Sequence, residues 1–363
     1  MIFAAGGTGG HLYPALAVAD EVRRRWPEAV ITFIGARGKI EERVVPAHGY
    51  PFVGIPVSAF KRRLSVGTLV APVKLAAAVV KAVVVIMKRK PGAVIGTGGF
   101  VCAPVIMAAQ VLGIPTILQE QNSFPGVTTR VLARWATEVH LTFEGSQQYF
   151  KRRDNIRISG NPTRAEIGSV GRADGAAFFG IDPARKTVLV FGGSQGAASI
   201  NAAMLPLAAP LAGEGIQIIW QTGNGEFDGI QNAMRPVERL VRVHAFIDKM
   251  AMAYAACDLA VCRSGATTIA ELTRIGIPAL YIPYPFAAAD HQSKNAREAA
   301  GAGAAILIED RDAARRLPTV IRELLGDTGR LNAMAESSRR LGRPGATGLL
   351  ADAALRLALG RAA

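Results

Sequence analysis

Short apolar, β-branched runs recur along the whole chain, with longer stretches of helical periodicity between them. In the first half the runs are Ile2–Ala5, Ala29–Gly35, Phe52–Val57, Ala93–Gly96, Pro115–Leu118 and Glu138–Thr142. In the second half they are Thr187–Phe191, Ile216–Gln221, Val241–Phe246, Asp258–Cys262, Pro278–Pro283 and Ala304–Ile308. Runs with little polar alternation, separated by helices, predict parallel sheets covered on both faces. Right-handed crossovers then make each half a doubly wound α/β domain. The chain has 363 residues, and a single core stops growing at about 250–300. Two domains are therefore expected, at 1–160 and 161–345, with the Ala- and Arg-rich stretch 346–363 as a last helix that can return toward the first domain. The boundary falls in Ser159–Arg164, where Asn-Pro favours a turn. Two facing α/β domains are expected to hold a ligand in the cleft between the carboxyl ends of their strands.

Charge changes the picture in one segment. The formal net charge is +14. No acidic residue stands between Glu42 and Glu120, while Arg43, Lys61, Arg62, Arg63, Lys74, Lys81, Lys88, Arg89 and Lys90 all do. Such a field attracts an anionic surface, either nucleic acid or acidic lipid. Within it, Ser65 to Met87 reads as one long apolar helix. Each central Lys costs about 2.5–3.5 kcal/mol on insertion scales, which disfavours a span. Lys74, Lys81 and Lys88 fall seven apart on one face, so a helix lying at a bilayer surface with its basic residues among the headgroups fits better. An ordinary core helix with a solvated Lys stripe is the competing reading. Cys102, Cys257 and Cys262 match no zinc or disulfide framework, which points to a reducing compartment. No secretory signal is read at the start, where the chain runs straight into a strand and a Gly loop.

Four glycine-rich turns follow strands and open helices: Gly6–Gly10, Gly96–Gly99, Gly192–Gly196 and Ser264–Gly265. Glycine lets a ligand approach the backbone, and a helix start offers unpaired amides and the positive dipole end. Phosphate binds well at such a place. The competing role of a Gly-rich turn is helix–sheet packing. No GxxxxGK[ST] occurs, and Leu12 replaces the third glycine of a dinucleotide fingerprint. Asp310 and Asp312 form the one DxD pattern, read as helix capping and surface charge rather than as a metal site. No metal and no cofactor is expected.

The segments GGTGGHLYPALAVA (6–19), GTGGFVCAP (96–104), QEQNSFPG (119–126), GNPTR (160–164), GGSQGA (192–197), HAFIDKMAMAYAACDLAVCRSGATTIAE (244–271) and DHQSKNA (290–296) closely resemble, in order, the MurG family within glycosyltransferase family 28. The resemblance implies a GT-B fold and inverting transfer of GlcNAc from UDP-GlcNAc to the MurNAc 4-hydroxyl of lipid I, the undecaprenyl-pyrophosphoryl MurNAc-pentapeptide, giving lipid II. It implies a peripheral protein at the cytoplasmic face of the bacterial cell membrane. The first domain would face membrane and acceptor, and the second would bind the donor. The anionic membrane surface and cell-wall synthesis proteins are the further partners expected; nucleic acid is not. Relative to the family, the first strand has fewer residues before GGTGG, so either the true start lies upstream of Met1 or the strand is trimmed.

By the same resemblance, Thr8, Gly9 and Gly10 contact the donor. His11 follows at a helix start, where the dipole favours the neutral ring, and it can take the acceptor proton or simply bond phosphate. Asn122 and Arg164 match donor positions, and Arg164 can pair a diphosphate bidentately or form a hinge salt bridge. Gln119 stands where the family usually has His, which leaves Glu120 as a second base candidate. Ser194 matches a position near the donor phosphates. Ile247 matches a backbone contact to uracil. Ala266, Thr267 and Thr268 open the fourth loop's helix. Glu271 can accept both ribose hydroxyls or be a first-turn Glu favoured by the dipole. Gln292 can read GlcNAc hydroxyls. Three rivals stay open: a diacylglycerol-type lipid glycosyltransferase, a UDP-GlcNAc 2-epimerase of similar fold, and a basic nucleic-acid binder, the last without aromatic interleaving.

Overall fold

The computed structural model describes residues 1–57 and 71–360, with side chains from 75 onward in the second stretch. It divides into two compact units: Met1–Arg164 with Arg343–Ala363, and Ala165–Gly342.

In the first unit, β1 (Ile2–Ala4), β2 (Thr32–Ala36), β3 (Phe52–Ile55), β4 (Val94–Gly96), β5 (Thr116–Glu120), β6 (Glu138–Leu141) and β7 (Ile156–Ile158) form one parallel sheet in the order β3-β2-β1-β4-β5-β6-β7. Its helices are α1 (Gly9–Arg25), α2 (Ile40–Ala47), α3 (Ala71–Arg89), α4 (Cys102–Val111) and α5 (Val127–Leu132), joined by a C-terminal helix, Ala346–Ala358. Successive strand residues point to opposite faces, so each strand feeds two cores. Phe3, Phe33, Ile95 and Ile117 pack under α1 and the C-terminal helix. Ile2, Ile34, Val94 and Leu118 pack under α3 and α4. Burial on both sides is why these strands read as unbroken apolar runs. β2 starts three residues later than its apolar run, because Ala29 N–H donates to Trp26 and closes the turn after α1.

The C-terminal helix is fastened to this unit at three places. Arg25 pairs with Asp352, Arg356 pairs with Glu138, and Thr347 Oγ1 donates to Thr163 O at 3.0 Å.

The second unit repeats the plan. β8 (Thr187–Phe191), β9 (Gln217–Gln221), β10 (Val241–His244), β11 (Leu259–Cys262), β12 (Ala279–Tyr281) and β13 (Ala305–Leu307) pair in parallel in the order β10-β9-β8-β11-β12-β13. They are covered by α6 (Arg172–Phe179), α7 (Ala198–Gly213), α8 (Phe227–Met234), α9 (Met250–Ala256), α10 (Ala266–Ile275), α11 (His291–Gly301), α12 (Ala313–Gly326) and α13 (Thr328–Leu341). The largest fully buried side chain, Trp220, lies in this core and donates from Nε1 to Asn201 Oδ1 at 3.0 Å.

Strand order reverses direction between β1 and β4 in one unit and between β8 and β11 in the other. Ligands of doubly wound folds bind at such switch points. The four glycine-rich turns are the four loops that leave these strands.

The basic apolar segment departs from expectation. Its residues 65–70, and Lys61, Arg62 and Arg63, lie outside the described residues, as does the side chain of Lys74. Over the described part the helix runs to Arg89, with Ala78, Ala82 and Ile86 buried. Lys81 does not join an outward basic stripe: its Nζ donates to Gly54 O at 2.7 Å, capping a carbonyl of β3. The outward face is apolar, with Val80 63%, Val84 45% and Met87 60% exposed. Among the described residues no helix is long and apolar enough to cross a membrane.

Candidate active site

At the first unit's switch point the loop after β1 delivers Thr8 as the N-cap of α1. Its hydroxyl makes no cap bond to the helix; it lies 3.1 Å from His11 Nδ1 instead. The loop is propped from behind by Glu41, which is wholly buried. Glu41 accepts from Gly7 N–H at 3.2 Å and from Ala36 N–H at 3.0 Å. The loop after β4 presses against the same place. Thr97 Oγ1 donates to His11 O at 2.8 Å, and a Cβ on Gly99 (φ 82°) would collide with Gly6 O. Thr8, Gly9, Gly10 and His11 are thus held together by two loops.

Glu120 ends β5 and is 4% exposed. Oε1 accepts from Asn122 N–H at 3.1 Å and Oε2 from Gly126 N–H at 3.1 Å. Burial pushes its carboxyl above the ordinary carboxylate range, against the pull of these amides. It therefore anchors the loop 121–126 and sets the place of Asn122. Gln119 is buried and donates to Asn161 Oδ1 at 3.2 Å. The Arg164 guanidinium stacks 5.7 Å from the ring of Tyr13 in the second turn of α1.

In the second unit, the loop after β8 carries Ser194, which is exposed. Gly196 takes φ 75°, and any side chain there would strike Thr222 O. Gln221, at the end of β9, ties two segments: Nε2 donates to Gly193 O at 2.8 Å and Oε1 accepts from Ile247 N–H at 2.9 Å. Ile247 itself is 3% exposed, a core side chain. Ala266, Thr267 and Thr268 form the first turn of α10. Glu271 falls in the second turn, not the first, so the dipole reading fails for it. It is buried and accepts the Tyr254 hydroxyl at 2.9 Å. Gln292 Oε1 accepts from Tyr284 N–H at 2.9 Å, while its carbonyl takes the Ser264 hydroxyl at 2.9 Å. Just before it, Ala289 and Asp290 both take φ of 54°, strain that non-glycine residues carry where the surroundings impose it.

The DxD pattern is corrected in detail. Asp310 is no helix cap: it pairs with Arg263 and accepts the Ser199 hydroxyl at 2.6 Å. Asp312 sits at an N-cap position without a side-chain cap bond and pairs with Arg315 at 3.1 Å. Among the described residues no group of His, Cys, Asp and Glu is arranged to hold a metal ion.

Sequence reading missed Glu41, Gln121, Gln221, Tyr254 and Arg263. The signal available was position: Gln121 and Gln221 are amides at or just past the carboxyl end of a buried strand, where ligand loops begin.

Family models match both halves: the glycosyltransferase family 28 N-terminal domain over residues 1–141 and its C-terminal domain over 187–347. The chain belongs to glycosyltransferase family 28. Similar family 28 proteins include those of Chlorobaculum tepidum and Chlorobaculum parvum, each 44% identical with 97% of both chains covered. Both are named UDP-N-acetylglucosamine–N-acetylmuramyl-(pentapeptide) pyrophosphoryl-undecaprenol N-acetylglucosamine transferase. The crystal structure of Acinetobacter baumannii MurG superposes with a TM-score of 0.75 at 27% identity, covering 98% of each chain. The two Rossmann-like units are those of a GT-B glycosyltransferase, and family 28 membership makes this chain a glycosyltransferase.

Proposed function

We propose that the protein transfers GlcNAc from UDP-GlcNAc to the MurNAc 4-hydroxyl of lipid I with inversion, making lipid II for peptidoglycan. The observation that carries this reading is likeness along 97% of the chain to relatives named for that transfer, joined to a histidine held at the first switch point. The second unit takes the donor. The first-turn amides of Ala266, Thr267 and Thr268, with Ser194 and its loop amides, meet the charge that grows on departing UDP. Glu271 and the Ile247 backbone serve the uridine, and Gln292 the sugar. In the first unit His11 takes the proton of the attacking hydroxyl, with Thr8 beside its ring. Thr8, Gly9, Gly10, Asn122 and Arg164 add donor contacts, Arg164 as a planar fork for diphosphate. The step breaks the anomeric C–O bond to UDP as the MurNAc oxygen attacks from the opposite face; no metal is required.

The acceptor lies in a membrane, and we assign its face to α3, α4 and α5. Their outward residues include Val80, Val84 and Met87, Val111 at 82% exposure, and Val127, with Trp135 exposed in the turn after α5. Lys88, Arg89, Lys90 and Arg134 are exposed beside them. Such a surface suits peripheral attachment to the anionic cytoplasmic leaflet.

Replacing His11→Ala lowers kcat with a lipid I analogue by about 10²–10⁴-fold and leaves UDP affinity unchanged. Near-normal turnover removes His11 from the role.

A further inference from the structure

A buried run of amides ends beside His11. Gln119 Nε2 donates to Asn161 Oδ1, and Gln119 Oε1 accepts from Gln121 Nε2. The same Gln121 Nε2 donates to Thr97 O, the loop that also holds the His11 carbonyl. Both hydrogens of the Gln121 amide are thereby spent, which fixes which end is oxygen. Gln121 is 2% exposed, yet its Oε1 has no hydrogen-bond partner. A buried amide oxygen left unpaired is costly, so its place needs a reason.

The reason lies at Gly98. Its φ is 98°, and it has no side chain between Gln121 and His11. The point a Cβ would occupy is 3.1 Å from Gln121 Oε1, 3.1 Å from His11 Nε2 and 2.6 Å from His11 Cδ2. Glycine thus leaves the edge of the imidazole open toward an oxygen that wants a donor. The other ring nitrogen, Nδ1, faces Thr8 Oγ1.

We propose that Gln121 is a positioning residue for His11. Its Oε1 takes the Nε2–H of the ring through one water or a small turn of the ring, and holds His11 in the tautomer that leaves Nδ1 as the base that accepts from the Thr8 hydroxyl. An orienting acceptor on one ring nitrogen fixes the proton there and frees the other. When the acceptor hydroxyl passes its proton to Thr8 Oγ1 as Thr8 gives its own to Nδ1, the ring becomes an imidazolium, and Gln121 Oε1 remains the acceptor of its second N–H. This inference rests on the role given to His11 above.

The test uses the full chain labelled with ¹⁵N-histidine, His11 being assigned by loss of its signals in His11→Gln. In the unsubstituted protein the ¹⁵N shifts show protonated Nε2 and unprotonated Nδ1. In Gln121→Met, which keeps the shape and loses the acceptor together with the donors to Thr97 O and Gln119 Oε1, that preference collapses. There kcat falls about tenfold or more while KM for UDP-GlcNAc stays within about twofold. A ring protonated on Nδ1 in the unsubstituted protein overturns the proposal, with no variant needed. So does a Gln121→Met protein that keeps the Nε2–H tautomer and its kcat. The tautomer is read without turnover, so a chain that transfers nothing to lipid I analogue contradicts the proposed function and still reports on Gln121.

Discussion

Glu120 shows how a single residue's surroundings decide between two chemistries. A carboxyl at a strand end beside a ligand loop can be a base, but both of its oxygens here receive loop amides, from Asn122 and Gly126. Substitution separates anchor from base. Glu120→Gln keeps one accepting oxygen, so kcat stays within about tenfold of the unsubstituted protein. Glu120→Ala leaves buried amides unpaired, destabilises by about 2–3 kcal/mol and loosens Asn122. A base would lose its rate equally in both, as kcat measurements and urea unfolding together would reveal. His11 and Thr8 were legible in the sequence because a histidine and a hydroxyl among glycines do not serve a bare turn. Glu41 and Gln121 were not, since their meaning lies in partners far along the chain: Gly7 for one, Thr97 for the other.

The elements followed from the apolar runs: all twelve runs overlap strands of the two sheets, while β7 lies in none of them. What pattern could not supply was the direction of individual side chains on α3. Spacing alone put Lys81 on an outward stripe, while the nearby Gly54 carbonyl turned it inward. The remaining outward face predicts behaviour at a membrane. Val84→Asp puts a negative charge among Val80 and Met87 and abolishes co-sedimentation with phosphatidylglycerol vesicles; binding that persists contradicts the assignment of this face. The C-terminal helix makes a separate prediction. Glu138, bonded first by His140 and then by Arg356, has its carboxyl held down from the ordinary 4.5 to about 2. A depressed carboxyl stabilises the fold fully above the unfolded value and loses that contribution as pH falls through the folded one. Stability on the order of 2 kcal/mol is therefore lost between about pH 4.5 and 2. Denaturant titrations on Arg356→Met show a shallower loss over that window; an unchanged slope rejects the Arg356 contribution.

At the scale of the whole molecule, two doubly wound units repeat one plan, and each presents two glycine-rich loops at its switch point. That plan was readable from the alternation of strands and helices, and the loops from clustered glycine. The return of the last helix to the first unit was an expectation from sequence; its ties to Arg25, Glu138 and Thr163 were not legible there, being long-range ion pairs and hydrogen bonds. The central claim is that helix-start amides and a held histidine serve transfer of a sugar from a nucleotide to a lipid-linked acceptor. The most direct measurement follows radiolabel from UDP-GlcNAc into a lipid I analogue, in detergent and without added metal. The account predicts labelled disaccharide product carrying the inverted, β-configured linkage, formed only when acceptor is present. Absence of transfer, or conversion of UDP-GlcNAc with no acceptor in the tube, would contradict it.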